Sequence, residues 1–336
     1  MNRIGDGVSA TAGVEEAGAG DRPPARRRRR RWFSWAVAVL LAAWAVVRIG
    51  GWEQGTLLVQ LVTVTPYGAA LAALVALIAL LRRNRWGALV AALACVAMVA
   101  VLMPRTIAAE QPAAGGPALR VLTINLFTKG DAQAVVDLVR RNNVDVLTAL
   151  ELTHAGAESL DAAGLRQLMP HRVLQPESDA IGSGIYSRHP ATELPGLFTV
   201  IGHNMPAAAV TLPGGGRVEL VAVHPRPPLG PKEADWNASL RALPAPSPSA
   251  VRVLAGDFNA TLDHRAFRDL LSRGYVDAAE QAGKGLTPTW PSGRAMPPII
   301  AIDHVVADRR VAVSRVDILN VPRTDHRAVL AELRLP

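Results

Sequence analysis

The sequence predicts an α+β fold in which two packed mixed β-sheets are flanked by helices, with three apolar helices ahead of them. Three observations carry that reading. Half of the 336 residues are hydrophobic, and the excess is concentrated in residues 32–103 as three long apolar runs. Beyond residue 118, many short strand-like runs alternate with a few helical ones, which suits two sheets packed together with helices outside. The first of these runs form a strand-helix-strand unit, whose strands are parallel and usually neighbours.

Residues 1–31 are rich in Gly, Ala, Arg and Pro, lack apolar periodicity, and are expected to form a disordered basic tail. The tail ends in Arg26 to Arg31, directly before "WFSWAVAVLLAAWAVV". The first apolar run covers about 32–52 if Arg48 snorkels, the second about 57–81 with Pro66 inside, and the third about 86–103. Trp32, Trp35, Trp52 and Trp86 lie near the ends of these runs, as interfacial aromatics do.

Arg82, Arg83 and Arg85 fill the loop between the second and third runs, whereas the preceding loop holds only Arg48 and Glu53. The positive-inside rule then places the N-terminus and the arginine loop in the cytoplasm. Three crossings of the lipid bilayer leave everything after Met103 outside, in a multi-pass protein of a bacterial-type cell membrane. "RRWF" (Arg30 to Phe33) also resembles a twin-arginine export signal, but two further apolar runs argue against a simple cleaved signal. Either reading exports the C-terminal part. Cys95 is the single cysteine, so no intrachain disulfide can form.

The net charge of +8 is uneven. The first 118 residues carry 13 Lys/Arg against 6 Asp/Glu, while residues 119–336 carry 23 against 22. The basic balance therefore belongs to the apolar end and does not argue for nucleic-acid binding. Residues 104–118 read as a patternless Pro/Gly/Ala linker that spans at most ~50 Å when stretched.

In the domain over 119–336, "ALRVLTINLF" reads as a strand. "DAQAVVDLVRRNN" follows as a helix with Asp131 at its N-cap and Val135, Val136 and Val139 inward, and "VDVLTALEL" is a second strand. Asn125 and Glu151, at the C-terminal ends of the two strands, would emerge on one rim, where open sheets hold their ligands. Further strands fit "SGIYSR", "AAAVTL", "RVELVAVH" and "VRVLAGD". Helices fit "KEADWNASLRAL" and "DHRAFRDLLSRG". "IIAIDHVVAD", "VAVSRVDIL" and "RAVLAELRL" read as the closing strands.

Polar groups recur where these strands end. His224 closes "VAVH", Asp257 and Asn259 follow in "VLAGDFNA", Asp303 and His304 interrupt "AIDHVV", and Asp325 and His326 precede the last strand. Asp257 and Asn259 are two residues apart, so an extended backbone would point both the same way. Each group alone has a plain structural reading: a turn at Asn125, an Asx turn at Asp257 and Asn259, a loop cap at Asp325.

Taken in order, "TINLF", "ALEL", "VAVH", "GDFNA", "IDHV" and "TDHRAV" resemble the endonuclease/exonuclease/phosphatase superfamily, which includes deoxyribonucleases, sphingomyelinases and inositol-polyphosphate phosphatases. The resemblance covers Leu119 to Pro336, with "GDFN" and the terminal "DH" most specific, and "TPTW" (Thr287 to Trp290) matches as well. It implies a four-layer αββα sandwich and a metal-dependent phosphoesterase. It also implies that Glu151 is the principal ligand of a divalent metal, with Asn125 beside it and Asp325 near it. Hard oxygen ligands of this kind suit Mg²⁺ or Mn²⁺. By the same resemblance, Asp257 would position or deprotonate the attacking water and Asn259 would hold a phosphoryl oxygen. His326, oriented by Asp303, would act as base or as a hydrogen bond to the phosphate. His224 would stabilise the transition state or protonate the leaving oxygen. Attack on an anionic phosphorus depends on charge neutralisation and positioning, which such a set supplies.

Departures from the family bear on the substrate. Where some of its nucleases carry a Tyr, this chain has "ESDAIG", and Tyr186 lies within the following strand. At 218 residues, the domain leaves little room for insertions that grip DNA. His154, His171, His189, His203 and His264 match no motif and are assigned to surface or scaffold, and His304 is expected to face away from Asp303. The expectation is a membrane-anchored phosphodiesterase or phosphatase acting outside the cytoplasm on a small or lipid-linked phosphoester. An extracytoplasmic nuclease, and a catalytically inactive sensor on the same fold, are the alternatives. A nuclease would have to grip a polyanion with a near-neutral domain, and a sensor would not need a competent residue at every motif position.

Overall fold

The computed structural model describes residues 25–293 and 296–336. Residues 1–24 of the expected tail lie outside the described residues. Residues 25–31, assigned to the same tail, instead open helix α1 (Ala25–Gly50), since a run of arginines is a good helix former. The second apolar run is not one helix. It forms α2 (Thr56–Thr63) and α3 (Thr65–Leu81), bent by 74° between them. Pro66, in the first turn of α3, has no N–H to bond back to Val62 and disfavours continuation of the preceding helix. Thr65 Oγ1 takes the Val62 carbonyl instead, at 2.6 Å.

Helix α4 (Arg85–Leu102) starts at Asn84, whose side chain accepts from Gly87 N–H and donates to Ser34 Oγ at 3.1 Å. Among the described residues, two helical stretches, Trp32–Gly50 and Arg85–Thr106, are long and apolar enough to cross a membrane. The bent pair makes a third only if counted as one span, so the expected three straight helices become two plus an elbow. The bundle packs through small residues: Leu41, Ala72 and Ala94 form one layer, and Ala45, Ala69 and Met98 another. Gly68 lies against the Trp44 indole, where a Cβ would come within 2.8 Å.

After a 3₁₀ turn (Met103–Thr106) come β1 (Ala118–Asn125), α5 (Ala132–Arg141), β2 (Val146–Leu150), α6 (His154–Ala162) and α7 (Leu165–Leu168). Then follow β3 (His171–Gln175), β4 (Ser183–Ser187), β5 (Ala191–Glu193), β6 (Ala207–Thr211), β7 (Arg217–Val223) and α8 (Lys232–Ala242). The chain continues with β8 (Val251–Asp257), α9 (Arg265–Ser272), β9 (Tyr275–Asp277) and α10 (Ala278–Gln281). It closes with β10 (Asp303–Asp308), β11 (Ala312–Asn320) and β12 (Arg327–Arg334).

The strands form two mixed sheets, ordered β11-β12-β1-β2-β4-β3 and β5-β6-β7-β8-β10-β9. Each has a parallel pair at its centre: β1 beside β2, with Asn125 opposite Leu150, and β7 beside β8, with Val223 opposite Gly256. The pleat divides the apolar residues into layers. Leu119 and Val121 of β1 face Val253 and Ala255 of β8 between the sheets, while Leu122 and Ile124 turn outward under Val136 and Val139 of α5. On the far side, Val221 and Leu254 lie under Trp236 and Phe267 of α8 and α9. Burial on both faces of each central strand explains why these segments read as nearly continuous apolar runs.

The expected linker is laid along the domain. Ala109 N–H bonds Gln281 O at 2.9 Å, Gln111 Oε1 accepts Val313 N–H at 2.7 Å, and Arg105 is buried. Arg105 cannot stay in a buried position without a counter-ion. It finds one in Asp263, through Nη1 at 2.8 Å and Nη2 at 2.9 Å.

Candidate active site

Both parallel pairs end at one rim, and the polar groups singled out in the sequence meet there. Asn125 ends β1 and Glu151 follows β2 with φ of 50°, a left-handed backbone that turns its side chain back toward β1. Asn125 Nδ2 donates to Glu151 Oε1 at 3.1 Å and, across the gap between the sheets, to Asp257 Oδ2 at 3.2 Å. Asn125 Oδ1 accepts Phe127 N–H at 2.9 Å, which fixes the way the amide faces.

Asp257 is the last residue of β8 and lies opposite Asp303, the first of the antiparallel β10. The preceding Gly256 is needed for the approach of β7, because a Cβ there would fall 1.9 Å from Val223 O. Beyond Asp257 the backbone is no longer extended. Asn259 has φ of 48°, and its N–H donates to Asp257 Oδ1 at 2.8 Å while its Nδ2 donates to Pro225 O at 3.0 Å. The alternation argument for these two side chains therefore fails. "GDFN" is an Asx-type turn and part of the site at once, because the turn is what aims Asp257 Oδ2 inward.

Two imidazoles flank that oxygen. His224 Nε2 and His326 Nε2 are each 3.8 Å from it. His326 Nδ1 donates to both carboxylate oxygens of Asp303, at 2.9 and 3.1 Å, and Asp303 is held through its N–H by Thr289 Oγ1. Asp325 Oδ1 lies 3.8 Å from His326 Nε2, and its Oδ2 accepts from Trp290 Nε1 at 3.3 Å. Trp290 of "TPTW" thus faces the pocket rather than only packing a loop. His304 turns away, with Nδ1 on Asp277 and Nε2 on Ala260 O. Tyr186, within β4, is buried in the core and takes no part.

The sequence gives His203 no role beyond surface or scaffold, whereas the structure brings it to the pocket. It lines the pocket with its Nδ1 3.2 Å from His224 Nδ1. Burial, then the neighbouring imidazoles of His203 and His326, drives His224 well below its ordinary value, and burial with Arg226 lowers His203 too, so both rings are neutral at pH 7. One of the two facing nitrogens must carry the proton. If His224 carried it, His224 Nε2 would turn a lone pair on the Asp257 carboxylate. The network therefore assigns the donor role to His203 and leaves Nε2–H of His224 facing the site.

Burial raises Glu151, against its hydrogen bond from Asn125, and raises Asp257 to about 7, against the pull of His326. For His326, burial pulls downward, but Asp303 and Asp257 outweigh it and hold the imidazole up at about 9. His326 is therefore an imidazolium at neutral pH. Four carboxylates (Glu151, Asp257, Asp303, Asp325) converge on this one buried cation, an excess of negative charge that a divalent cation held by hard oxygen ligands would offset. The residues present fit such an ion at Glu151 with Asp325 beside it. Asn125, expected as a ligand, instead turns its Nδ2 to Glu151 and Asp257 and keeps its oxygen on Phe127 N–H, so it orients the two carboxylates and does not ligate the metal. A tighter grouping, Asp257 with Asp303 and His326, offers ligand-type atoms within 4.8 Å of one another. There the imidazole Nδ1 is already bound to Asp303, which makes that trio a hydrogen-bonded relay rather than a metal centre.

Residues 122–326 match the endonuclease/exonuclease/phosphatase family, and the chain belongs to it. Its members are phosphoesterases and nucleases that depend on divalent metals. A search of curated proteins finds no significant relative. Among solved structures, an endonuclease/exonuclease/phosphatase from Beutenbergia cavernae is 22% identical, with a TM-score of 0.51 over 65% of this chain and 72% of that one. A humanised D. rerio TDP2 is 16% identical, with a TM-score of 0.53 over 65% and 99% of the two chains. A family member from Bacteroides vulgatus is 15% identical, with a TM-score of 0.51 over 66% and 100%. At these identities the structural likeness speaks for the fold.

Proposed function

We propose that the chain is a membrane-anchored, divalent-metal-dependent phosphoesterase that hydrolyses a small or lipid-linked phosphate ester outside the cytoplasm. The observation that carries the reaction is the constellation around Asp257 Oδ2: a carboxylate between an imidazolium and a neutral Nε2–H donor, beside the Glu151 and Asn125 pair. Mg²⁺ or Mn²⁺ held by Glu151 and Asp325, with Asn125 Nδ2 orienting the Glu151 carboxylate, would supply charge neutralisation of the phosphoryl group.

The remaining steps belong to the chain itself. Asp257, its Oδ1 tied to Asn259 N–H, orients the attacking water with Oδ2 and takes its proton. Charged His326 donates a hydrogen bond to a phosphoryl oxygen, so of the two roles open to it in the sequence the donor is favoured over the base. His224 donates from Nε2 to the phosphoryl or leaving oxygen. The second hydrogen of the Asn259 amide, whose first is given to Pro225 O, serves the same group.

Excess chelator should abolish hydrolysis by the full-length protein in detergent, and Mg²⁺ should restore it. Glu151→Gln should weaken metal binding, read directly by calorimetry, because it removes the ligand's charge. Activity undiminished in chelator would sink the metal-dependent reading. The substrate is separated by competition between plasmid DNA and a panel of head-group and lipid phosphoesters. Efficient nicking at physiological salt with every ester intact would put a nuclease in its place.

The helix ends support the outward orientation. Asn84 bonds Ser34 at the end of the bundle that carries Arg82, Arg83 and Arg85, whereas Arg48 and Arg105, at the opposite end, hold the catalytic domain. With the arginine loop kept in the cytoplasm, the site faces outward. A reporter active only outside the cytoplasm should work after Pro336 and fail at Arg83. The reverse pattern would place the arginine loop outside and overturn the orientation.

A further inference from the structure

The pocket over Asp257 is not built by the catalytic domain alone. It is a cavity of about 350 Å³ whose wall includes Gln60 and Thr63 of α2 together with His224, His264 and Ile300. Helix α2 is held there along its length. Thr56 Oγ1 accepts Gly230 N–H at 3.0 Å, and Gln60 Nε2 donates to Pro228 O at 3.3 Å. Val59 is fully packed among Trp236, Leu240 and Phe267 of the catalytic domain. Because Thr261 N–H occupies His264 Nδ1, the other nitrogen is the donor, and it reaches Val59 O at 3.1 Å and Thr63 Oγ1 at 3.2 Å. Past the elbow, Tyr67 donates its hydroxyl to Ile299 O at 2.9 Å. The elbow made by Pro66 is thus what lets an apolar segment leave the bundle and lie across the mouth of the site.

Away from the charged cluster this mouth is apolar. Phe127, Pro227, Leu229 and Ile300 line it, and Phe127 and Leu229 remain 41% and 54% exposed. Leu57, Leu71 and Leu74 are exposed on the adjoining helices α2 and α3. A water-soluble ester gains little from such a surface, whereas a hydrocarbon group attached to the phosphate is removed from water by it. We infer that α2 and the elbow are part of the substrate site and hold the hydrocarbon end of a lipid-linked phosphoester whose phosphate lies at Asp257. This inference rests on the phosphoesterase reading above and narrows its substrate to the lipid-linked class.

The test uses full-length protein in nanodiscs with Mg²⁺ and matched phosphodiesters, each head group offered with long and with short acyl chains. The long-chain member should be preferred, and Thr63→Trp and Gln60→Trp, which fill that side of the cavity, should lower the long-to-short ratio of kcat/KM by about tenfold or more, as a changed hydrophobic pocket does. Hydrolysis of short-chain esters with no long-chain preference, or with a ratio that neither variant moves, overturns the inference while the phosphoesterase reading stands. Hydrolysis of no ester at all overturns both. A readout independent of turnover is a fluorophore on Gln60→Cys in a Cys95→Ala background. A non-hydrolysable long-chain phosphonate should shift its emission and inorganic phosphate should not. An equal response to both, or no response to either, also counts against the inference.

Discussion

Asp257→Asn should lower kcat by about 10²–10⁴-fold, the range associated with losing a positioned acid–base group. The same change should leave the melting temperature of the metal-free protein unchanged or higher. Asp257 is buried, and burial has raised its folded pKa to about 7 from an unfolded value of ~3.9. A carboxyl raised in this way contributes stability that is complete below the unfolded pKa and is lost as pH rises through the folded one. Metal-free wild type should therefore lose stability relative to Asp257→Asn between about pH 4 and pH 7, and added Mg²⁺ should reverse the loss. His326→Ala is the contrasting variant, since it leaves Asp303 buried without its partner and should cost stability as well as activity. Thermal unfolding and initial rates on the same samples separate the two. Activity within a few-fold of wild type in Asp257→Asn would remove Asp257 from the chemistry.

Much of the site could be reached from the sequence because it sits at strand ends, and strands of five or more apolar residues announce themselves. The strand-helix-strand unit from β1 to β2 brings Asn125 and Glu151 within 3.1 Å, as the parallel pairing requires. His203 could not be found that way. Its significance depends on His224, in another segment 21 residues on, and a lone His before "NMPAAAV" carries no spacing signal. "GDFN" posed a choice between turn and site that the structure dissolves, since the turn supplies the aim. The short elements β5, β9 and α10 have three or four residues each, too few for a period to show. The shape of the helical region is hidden from the sequence for a different reason. Hydropathy registers that residues 57–81 are apolar, but not that Pro66 diverts the first third of the run onto a domain roughly 170 residues further along the chain. The pattern "DHRAF" likewise read as the start of a helix. In the structure α9 begins at Arg265, and Asp263, just before it, is taken by two arginines from the helical region.

That last contact should dominate how the two parts hold together. Asp263 is buried and binds both Arg48 and Arg105, which are buried as well, and both arginines also donate to Leu262 O. Removing the single anion leaves two guanidinium groups out of water without compensation, the costly half of a buried ion pair. Asp263→Asn, nearly isosteric, should therefore destabilise the full-length protein by about 3–5 kcal/mol near neutral pH. Limited proteolysis should then cut within residues 104–118, which Arg105 no longer ties down. The pH dependence has its own sign. Burial alone would raise Asp263, but its hydrogen bonds and charge contacts with Arg105 and Arg48 win and hold the carboxyl below its ordinary value. A depressed acid contributes stability that is present above the unfolded pKa of ~3.9 and is lost as pH falls through the folded value. The gap between wild type and Asp263→Asn should stay constant from neutral pH down to about 4 and close only below that. Double replacement, Arg48→Met with Arg105→Met in the Asp263→Asn background, should recover much of the loss, because the uncharged trio leaves no buried charge to desolvate. A gap that is small at pH 7, or that closes already above pH 5, would mean that the arginines find other anions and that the docking does not depend on Asp263.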